Sequence, residues 1–320
     1  MDKVLTVSVA AYNVQEYLKK TLDSLLIQNQ SRLNELEVII VNDGSKDNTV
    51  AIAREYEERY PEIFKVIDKK NGGYGSTINA SLKEATGKYF KLLDGDDWFE
   101  TDNLSEFISV LEKTEADLVL SPYIECYGEN GKRIKKEQPY KYNTKFEVSS
   151  VTKYSMHAAC IKTSCIKGKI TITENCFYTD SEFFIKSIVN CNSCINVPLP
   201  IYCYRLEREG QSMNINSLVK HYDNYFYVAK NMLEMLKENS KLEGMKKSIY
   251  SLLATSFAYS LLLNPKYDAK QKFLECRKYV SDSWDDIAPL LTNKQKIAFW
   301  FPWMYKVINS YQRKKKNVTA

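Results

Sequence analysis

The chain has 320 residues, 44% hydrophobic and 27% charged, which suits a soluble globular protein of two domains, or one large domain with an appendage, and excludes a disordered or fibrous one. Its 45 basic and 40 acidic residues leave a net charge of +5, too small for nucleic-acid binding across the whole surface, so no nucleic-acid partner is expected. Among eight cysteines only Cys191 and Cys194 form a C-x-x-C, and no second pair stands at zinc-finger spacing, which argues against a zinc site.

No basic stretch followed by an apolar one opens the chain, and no apolar run reaches the ~18 residues that span a bilayer, so the expected location is the cytoplasm, where free thiols persist. In chain order, residues 4–10 are an apolar, β-branched run that predicts a strand. Residues 16–27 have helical spacing, with Leu18, Leu22, Leu25 and Leu26 on one side. Residues 38–41 predict a second strand, 49–60 a helix stopped by Pro61, and 64–67 a third strand. A helix over 76–85 is ended by Gly87, and a fourth strand covers 89–93. A helix over 103–113 and a strand over 117–124 follow. Gly128-Glu129-Asn130-Gly131 reads as a turn, residues 151–215 are mixed, and from about Leu218 the chain is helical.

Alternating strands and helices predict a doubly wound, mostly parallel sheet, whose ligands bind beyond the carboxyl ends of the strands. Four polar clusters fall at those ends: Tyr12-Asn13, Asn42 to Ser45, Asp68 to Asn71, and Asp94 to Asp97.

Asp94-Gly95-Asp96-Asp97 packs carboxylates that repel unless a cation sits among them, and a hard ion such as Mg²⁺ or Mn²⁺ would also leave positions for phosphate oxygens. A solvated acidic turn is the plainer alternative. In Asn42-Asp43-Gly44-Ser45-Lys46-Asp47, Gly44 permits a tight turn, Asp43 offers an acceptor to a base N–H, and Asp47 or Asn48 can cap the next helix. The loop Asn71-Gly72-Gly73-Tyr74-Gly75-Ser76-Thr77 brings backbone amides before a helix, where a diphosphate can approach, or else is merely flexible.

The order Ala11-Tyr12-Asn13, Val41 to Asp47, Asn71 to Asn79, Ala85-Thr86-Gly87-Lys88-Tyr89 and Leu93-Asp94-Gly95-Asp96-Asp97-Trp98 resembles family 2 glycosyltransferases of the GT-A fold, closely over roughly the first 100 residues. The resemblance implies an α/β fold with a Rossmann-like nucleotide-binding half at 1–120, an acceptor and catalytic-base half at 121–215, and a helical extension at 216–320. It implies hexosyl or N-acetylhexosaminyl transfer from a nucleotide-sugar donor, usually a UDP-sugar, to a glycan or lipid-linked saccharide acceptor. The reaction would be inverting and metal-dependent, as in bacterial capsule or exopolysaccharide assembly. Donor-binding positions are then Ala11, Tyr12, Asn13, Asp43, Asn71, Gly72, Asp94, Gly95 and Asp96, with Asp94 and Asp96 holding Mg²⁺ or Mn²⁺. Two departures stand out: Asn42 where many members have Asp, and Thr77-Ile78-Asn79 where many carry Arg.

In the second half, Phe177-Tyr178-Thr179-Asp180-Ser181-Glu182-Phe183-Phe184 resembles the family's base segment, often Glu-Asp; Thr179 replaces the Glu. The base role thus falls on Asp180, which can also cap a helix over 181–189, with Glu182 as fallback. Arg205 and Arg208 sit in what looks like the loop near the donor diphosphate, or form a surface charge cluster. Asp97, Trp98, His157 and Glu182 are acceptor-side candidates. A pyrophosphorylase would carry Gly-x-Gly-x-Arg where Ala11-Tyr12-Asn13 stands, and a binding protein would not need Asp94, Asp96 and Asp180.

Residues 297–312 predict an amphipathic helix with Ile297, Trp300, Phe301, Met304, Ile308 and Tyr311 on one face and Pro302 at a start or kink. Arg313 to Lys316 follow it. The composition suits peripheral contact with the inner face of a membrane, or packing on the protein's own core.

Overall fold

A computed structural model describes residues 2–128, 131–153, 155–206, 215–265 and 267–318. The chain divides into two compact units, one of residues 1–150 with 154–208 and one of 151–153 with 209–320.

Among the described residues the first unit carries twelve strands: β1 (Leu5–Ala11), β2 (Leu36–Asp43), β3 (Phe64–Lys69), β4 (Tyr89–Asp94), β5 (Trp98–Phe99), β6 (Leu118–Leu120), β7 (Tyr123–Tyr127), β8 (Arg133–Lys136), β9 (Lys145–Glu147), β10 (Ala159–Lys162), β11 (Ser193–Asn196) and β12 (Tyr202–Leu206). Its helices are α1 (Leu18–Asp23), α2 (Gln30–Asn34), α3 (Thr49–Arg59), α4 (Tyr74–Glu84), α5 (Thr101–Lys113), α6 (Thr163–Ile166) and α7 (Thr179–Asn190). The larger sheet has the order β3-β2-β1-β4-β10-β6-β11-β9, and β5-β12-β7-β8 form a second, smaller sheet.

β1 lies between β2 and β4, parallel to both, and Leu5, Val7 and Val9 are fully buried. Each such side chain contributes about 1.5–3 kcal/mol on leaving water. Burial on both faces explains why the strand is continuously apolar rather than alternating. Register does the positioning. Ala11 lies opposite Asn42, Ala10 opposite Asp94, and Asp43 opposite Lys69, so all four polar clusters meet at one edge.

Two expected elements differ in form. The predicted strand over 117–124 is two strands in different sheets: β6 pairs with β10 and β11, whereas β7 pairs with β12 and β8. Ser121, at the change of sheet, donates its amide to Ala158 O at 3.0 Å. An unbroken run of strand formers cannot signal which partner each half will find. The predicted helix over 16–27 contracts to α1, with turns on either side.

The second unit is helical: α8 (Ile215–Lys220), α9 (Tyr222–Glu238), α10 (Lys246–Ser260), α11 (Ala269–Asp282), α12 (Trp284–Ile287), α13 (Asn293–Trp300) and α14 (Tyr305–Lys315). Phe257, Phe273 and Tyr305 form its aromatic centre, with ring centroids 5.5 Å and 4.9 Å apart along the series. The continuous helix expected over 297–312 is instead α13 and α14, separated by a 3₁₀ turn at Pro302–Met304. Pro302 lacks the N–H that would continue α13. Asn309 then ties α14 down, donating to Leu261 O at 3.1 Å and Leu263 O at 2.9 Å. The expected apolar face does not pack inward; of its six members only Ile308 is buried. Among the described residues no helix is long and apolar enough to cross a membrane.

Candidate active site

The turn after β4 is held by contacts of the chain's own residues. Gly95 donates its amide to Ala10 O at 2.9 Å, and a Cβ there would stand 2.8 Å from that oxygen, so only glycine fits. The Thr21 hydroxyl of α1 lies 2.9 Å from Gly95 O and 2.6 Å from Asp97 O. Its single proton serves two buried carbonyls and fixes the bend that presents Asp94, Asp96 and Asp97.

Asp97 is buried and accepts from the Tyr202 hydroxyl and the Arg205 amide, both at 2.7 Å. Burial first, and then the charges of Asp96 and Asp94, hold its carboxyl well above the usual aspartate range. Arg205 Nε donates to Asp96 O at 2.8 Å. Its guanidinium packs 4.8 Å from the Tyr17 ring and 4.9 Å from the Trp98 ring. Lys20 also stands over Trp98, at 3.4 Å, so the indole carries two cations beside the acidic turn.

His157 joins from the turn before β10. Its ring packs against Tyr204, Tyr202 and Tyr123, with centroids 4.2, 4.7 and 5.1 Å away, and Nδ1 lies 3.0 Å from Ser155 Oγ. Burial, and then the charge of Lys91, lower its pKa to about 3, so the imidazole is neutral and keeps a lone pair for a metal or a hydroxyl. Lys91, itself buried in β4, donates to His157 O at 2.8 Å and Ala159 O at 3.0 Å; desolvation brings its pKa down to about 8. One ligand atom each from Asp94, Asp97 and His157 lies within 4.8 Å of the others.

Asp180 enters from α7. It occupies the first turn, but Tyr178, with φ +66°, stands at the N-cap and α7 has no side-chain cap. Burial pushes the Asp180 carboxyl above its ordinary value. Tyr74 is pushed up by burial and then by Asp94 and Asp180. Tyr204 is pushed up by burial and then by Asp97, Asp94, Asp96 and Asp180. Two phenols therefore feel both the β4 turn and the α7 carboxylate, although 84 positions separate Asp96 from Asp180. The alternative acid, Glu182, is buried and already accepts from the Thr173 amide at 3.1 Å, the Thr173 hydroxyl at 2.9 Å and Lys186 at 2.6 Å.

At the next strand ends, Asp43 organises the glycine-rich loop. It accepts from Lys69 at 2.6 Å and from the amides of Gly72 and Gly73, both at 2.9 Å; Asn71 Nδ2 reaches Asp43 O at 2.9 Å. Asn13, with φ +52°, accepts from the Lys46 amide at 2.8 Å, while Tyr12 beside it is 48% exposed. Ala11 is buried at the end of β1.

Both departures from the family pattern have local reasons. Asn42 Nδ2 donates to Asp68 at 2.7 Å, where a second carboxylate would repel. Asn79 pairs with the backbone of Ile172 in both directions at 2.8 Å, closing α4 against that loop.

Arg208 lies outside the described residues. Sequence reading missed Tyr74, Tyr202, Tyr204, Lys91 and Thr21. Only the alternation in Tyr202-Cys203-Tyr204-Arg205 could have marked Tyr202 and Tyr204, whose partners are fixed by strand pairing.

Residues 6–167 match the family model described as glycosyl transferase family 2. EpsH of Bacillus subtilis (strain 168), which carries a glycosyltransferase name, is 27% identical over 289 residues, covering 83% of this chain and 79% of its own. GgaB of the same organism, named a minor teichoic acid biosynthesis protein, is 26% identical over 250 residues, 74% of this chain but 27% of that longer one. The fold is that of residues 1–349 of TarS from S. aureus, solved with UDP-GlcNAc: TM-score 0.70, 19% identity, 98% of this chain and 92% of that one.

Proposed function

We propose that this chain, which belongs to glycosyl transferase family 2, moves a sugar from a UDP-sugar to a hydroxyl of a glycan or lipid-linked saccharide by a metal-dependent, inverting displacement at the inner face of a membrane. The observation that carries the reading is the cluster of Asp94, Asp97 and His157, whose ligand atoms lie within 4.8 Å of one another at the strand ends where an α/β sheet binds nucleotides.

Asp180 is the general base. It takes the proton of the acceptor hydroxyl as that oxygen attacks the anomeric carbon from the face opposite the leaving nucleoside diphosphate. A carboxylate whose burial raises its proton affinity accepts that proton more readily than a solvated one. The Ala11 to Asn13 segment, Asp43 and the Asn71-Gly72 amides shape the nucleoside pocket. Gly95 lets the backbone approach the ribose, and Arg205 is the cation we assign to the diphosphate. Trp98, His157 and Asp97 border the acceptor.

The residues present fit a divalent cation. Burial, and then the charges of Asp96 and Asp94, raise the Asp97 pKa, and a cation among these carboxylates would relieve their repulsion. Asp94 and Asp96 are the holders we assign from the family pattern, and Asp97 and His157 complete the donor set. Two kinds of donor, carboxylate oxygen and neutral imidazole, favour Mn²⁺ over Mg²⁺. When bound, the ion neutralises charge on the departing diphosphate. A solved mannosyltransferase of similar fold, TM-score 0.52 at 16% identity, holds GDP-Man and Mn²⁺. The UDP-GlcNAc complex of TarS supports the donor class, and the teichoic acid biosynthesis name of GgaB supports the acceptor class.

The test is a donor-hydrolysis screen over nucleotide sugars with Mn²⁺, Mg²⁺ or EDTA. Metal-dependent release of UDP from one donor, abolished in Asp96→Asn, is the expected result. Equal release with EDTA would overturn the metal reading, and release from GDP- or TDP-sugars alone would overturn the UDP assignment.

A further inference from the structure

The end of the chain has a charge of its own. Residues 287–320 contain seven lysines and arginines and no aspartate or glutamate, while the whole chain carries only +5, so the remainder is slightly acidic. Within this segment the inward side is already furnished: Phe299 and Tyr305 are 2% exposed and Ile308 is 9% exposed. A second set of large apolar side chains is left outside. Ile297, Trp300, Phe301, Trp303, Val307 and Tyr311 are between 42% and 71% exposed. The break at Pro302–Met304 produces this arrangement, because it turns Phe301 and Trp303 outward as an edge-to-face pair with centroids 5.1 Å apart. These six exposed large apolar side chains within residues 297–311 mark an interaction surface.

Its chemistry selects the occupant. Tryptophan, tyrosine and lysine together suit the headgroup layer of a bilayer, and cations without a single carboxylate suit anionic lipid. Lys306 lies between exposed Trp303 and Val307 and the buried Ile308, and Lys314, Lys315 and Lys316 close α14 on exposed positions. We propose that residues 297–316 form a lipid-facing surface that seats the protein on an anionic bilayer, the aromatic side chains entering the headgroup region and the lysines pairing with lipid phosphates. The proposal rests on the reading of a lipid-linked acceptor for its purpose, but binding to lipid is measurable without any acceptor.

The experiment is flotation of the full chain with vesicles of phosphatidylcholine alone or of phosphatidylcholine with phosphatidylglycerol. Binding to the anionic vesicles should exceed binding to the neutral ones by at least about tenfold and weaken in high salt. The triple variant Trp300→Ser/Trp303→Ser/Val307→Ser changes exposed positions, circular dichroism checks that it folds, and it should lose at least about tenfold of that binding. Lys314→Glu/Lys315→Glu/Lys316→Glu should lose both binding and salt dependence. A wild-type chain that floats with neither vesicle, or a triple variant that binds as before, would overturn the proposal. So would a wild-type dimer, seen by light scattering and lost in the triple variant, that ignores lipid; a second copy would then be the occupant. Donor hydrolysis on the same samples separates the two ideas. Hydrolysis without flotation sinks the lipid surface alone, and flotation without hydrolysis sinks the catalytic reading alone.

Discussion

At the scale of single residues, each functional group is tuned by what desolvates it and which charges it meets. Burial raises the Asp180 pKa above its ordinary 3.8. As a base it works only when ionised, so kcat/KM should fall as pH drops through that raised value, at higher pH than an unperturbed aspartate would give. Asp180→Asn should lower kcat by about 10²–10⁴-fold while leaving donor binding, measured by calorimetry, unchanged. An unaltered kcat would remove Asp180 from the base role. Thr21 offers a separate check. Thr21→Val keeps the shape but leaves the carbonyls of Gly95 and Asp97 without their donor, which should cost about 1–3 kcal/mol in denaturant unfolding. The Thr21 contacts were not visible locally: Thr21 reads as one polar position of a helix, and its partners lie 74 and 76 residues away.

At the scale of elements, glycines decide how closely two segments can approach. α4 packs against the backbone before α7 at Gly75, where a Cβ would stand 2.1 Å from Thr173 O. Thr173 in turn holds Glu182, so the contact couples α4 and the glycine-rich loop before it to α7. Gly75→Ala should therefore destabilise by at least about 1–3 kcal/mol and raise the donor KM in the same variant. A change in stability without any change in KM would show that the loop does not depend on this contact. The helices and strands around this sheet edge were legible because each carries its own period and its own turn residues. The change of sheet at Ser121 and the break at Pro302 were not, since the first depends on partner strands and the second on what Asn309 finds to bind.

At the scale of the whole molecule, excess negative charge at the site is linked to stability. Asp97 binds its proton more tightly when folded than when unfolded, so between the ordinary 3.8 and its raised value the folded state holds the extra proton. Stability from this group is present at low pH and is lost as pH rises through that window. A cation among the carboxylates should offset the loss. Mn²⁺ at a hundredfold excess over its Kd should add about 2.7 kcal/mol, seen as a rise in Tm that is larger at pH 8 than at pH 5 and absent in Asp94→Asn. A rise of equal size at both pH values would break the link between the metal and these carboxylates. By itself the sequence determined the alternating α/β order, the four polar clusters and the acidic turn, because periodicity, turn chemistry and short motifs are local properties of a chain. Only the tertiary structure decided that Tyr74, Tyr202, Tyr204 and His157 surround those carboxylates, that Glu182 is already engaged, and that Trp300, Phe301, Trp303 and Tyr311 remain outside while Phe299 and Tyr305 are buried. Those outcomes depend on strand register and on which surfaces are covered first, and both are set by contacts between residues far apart in the chain.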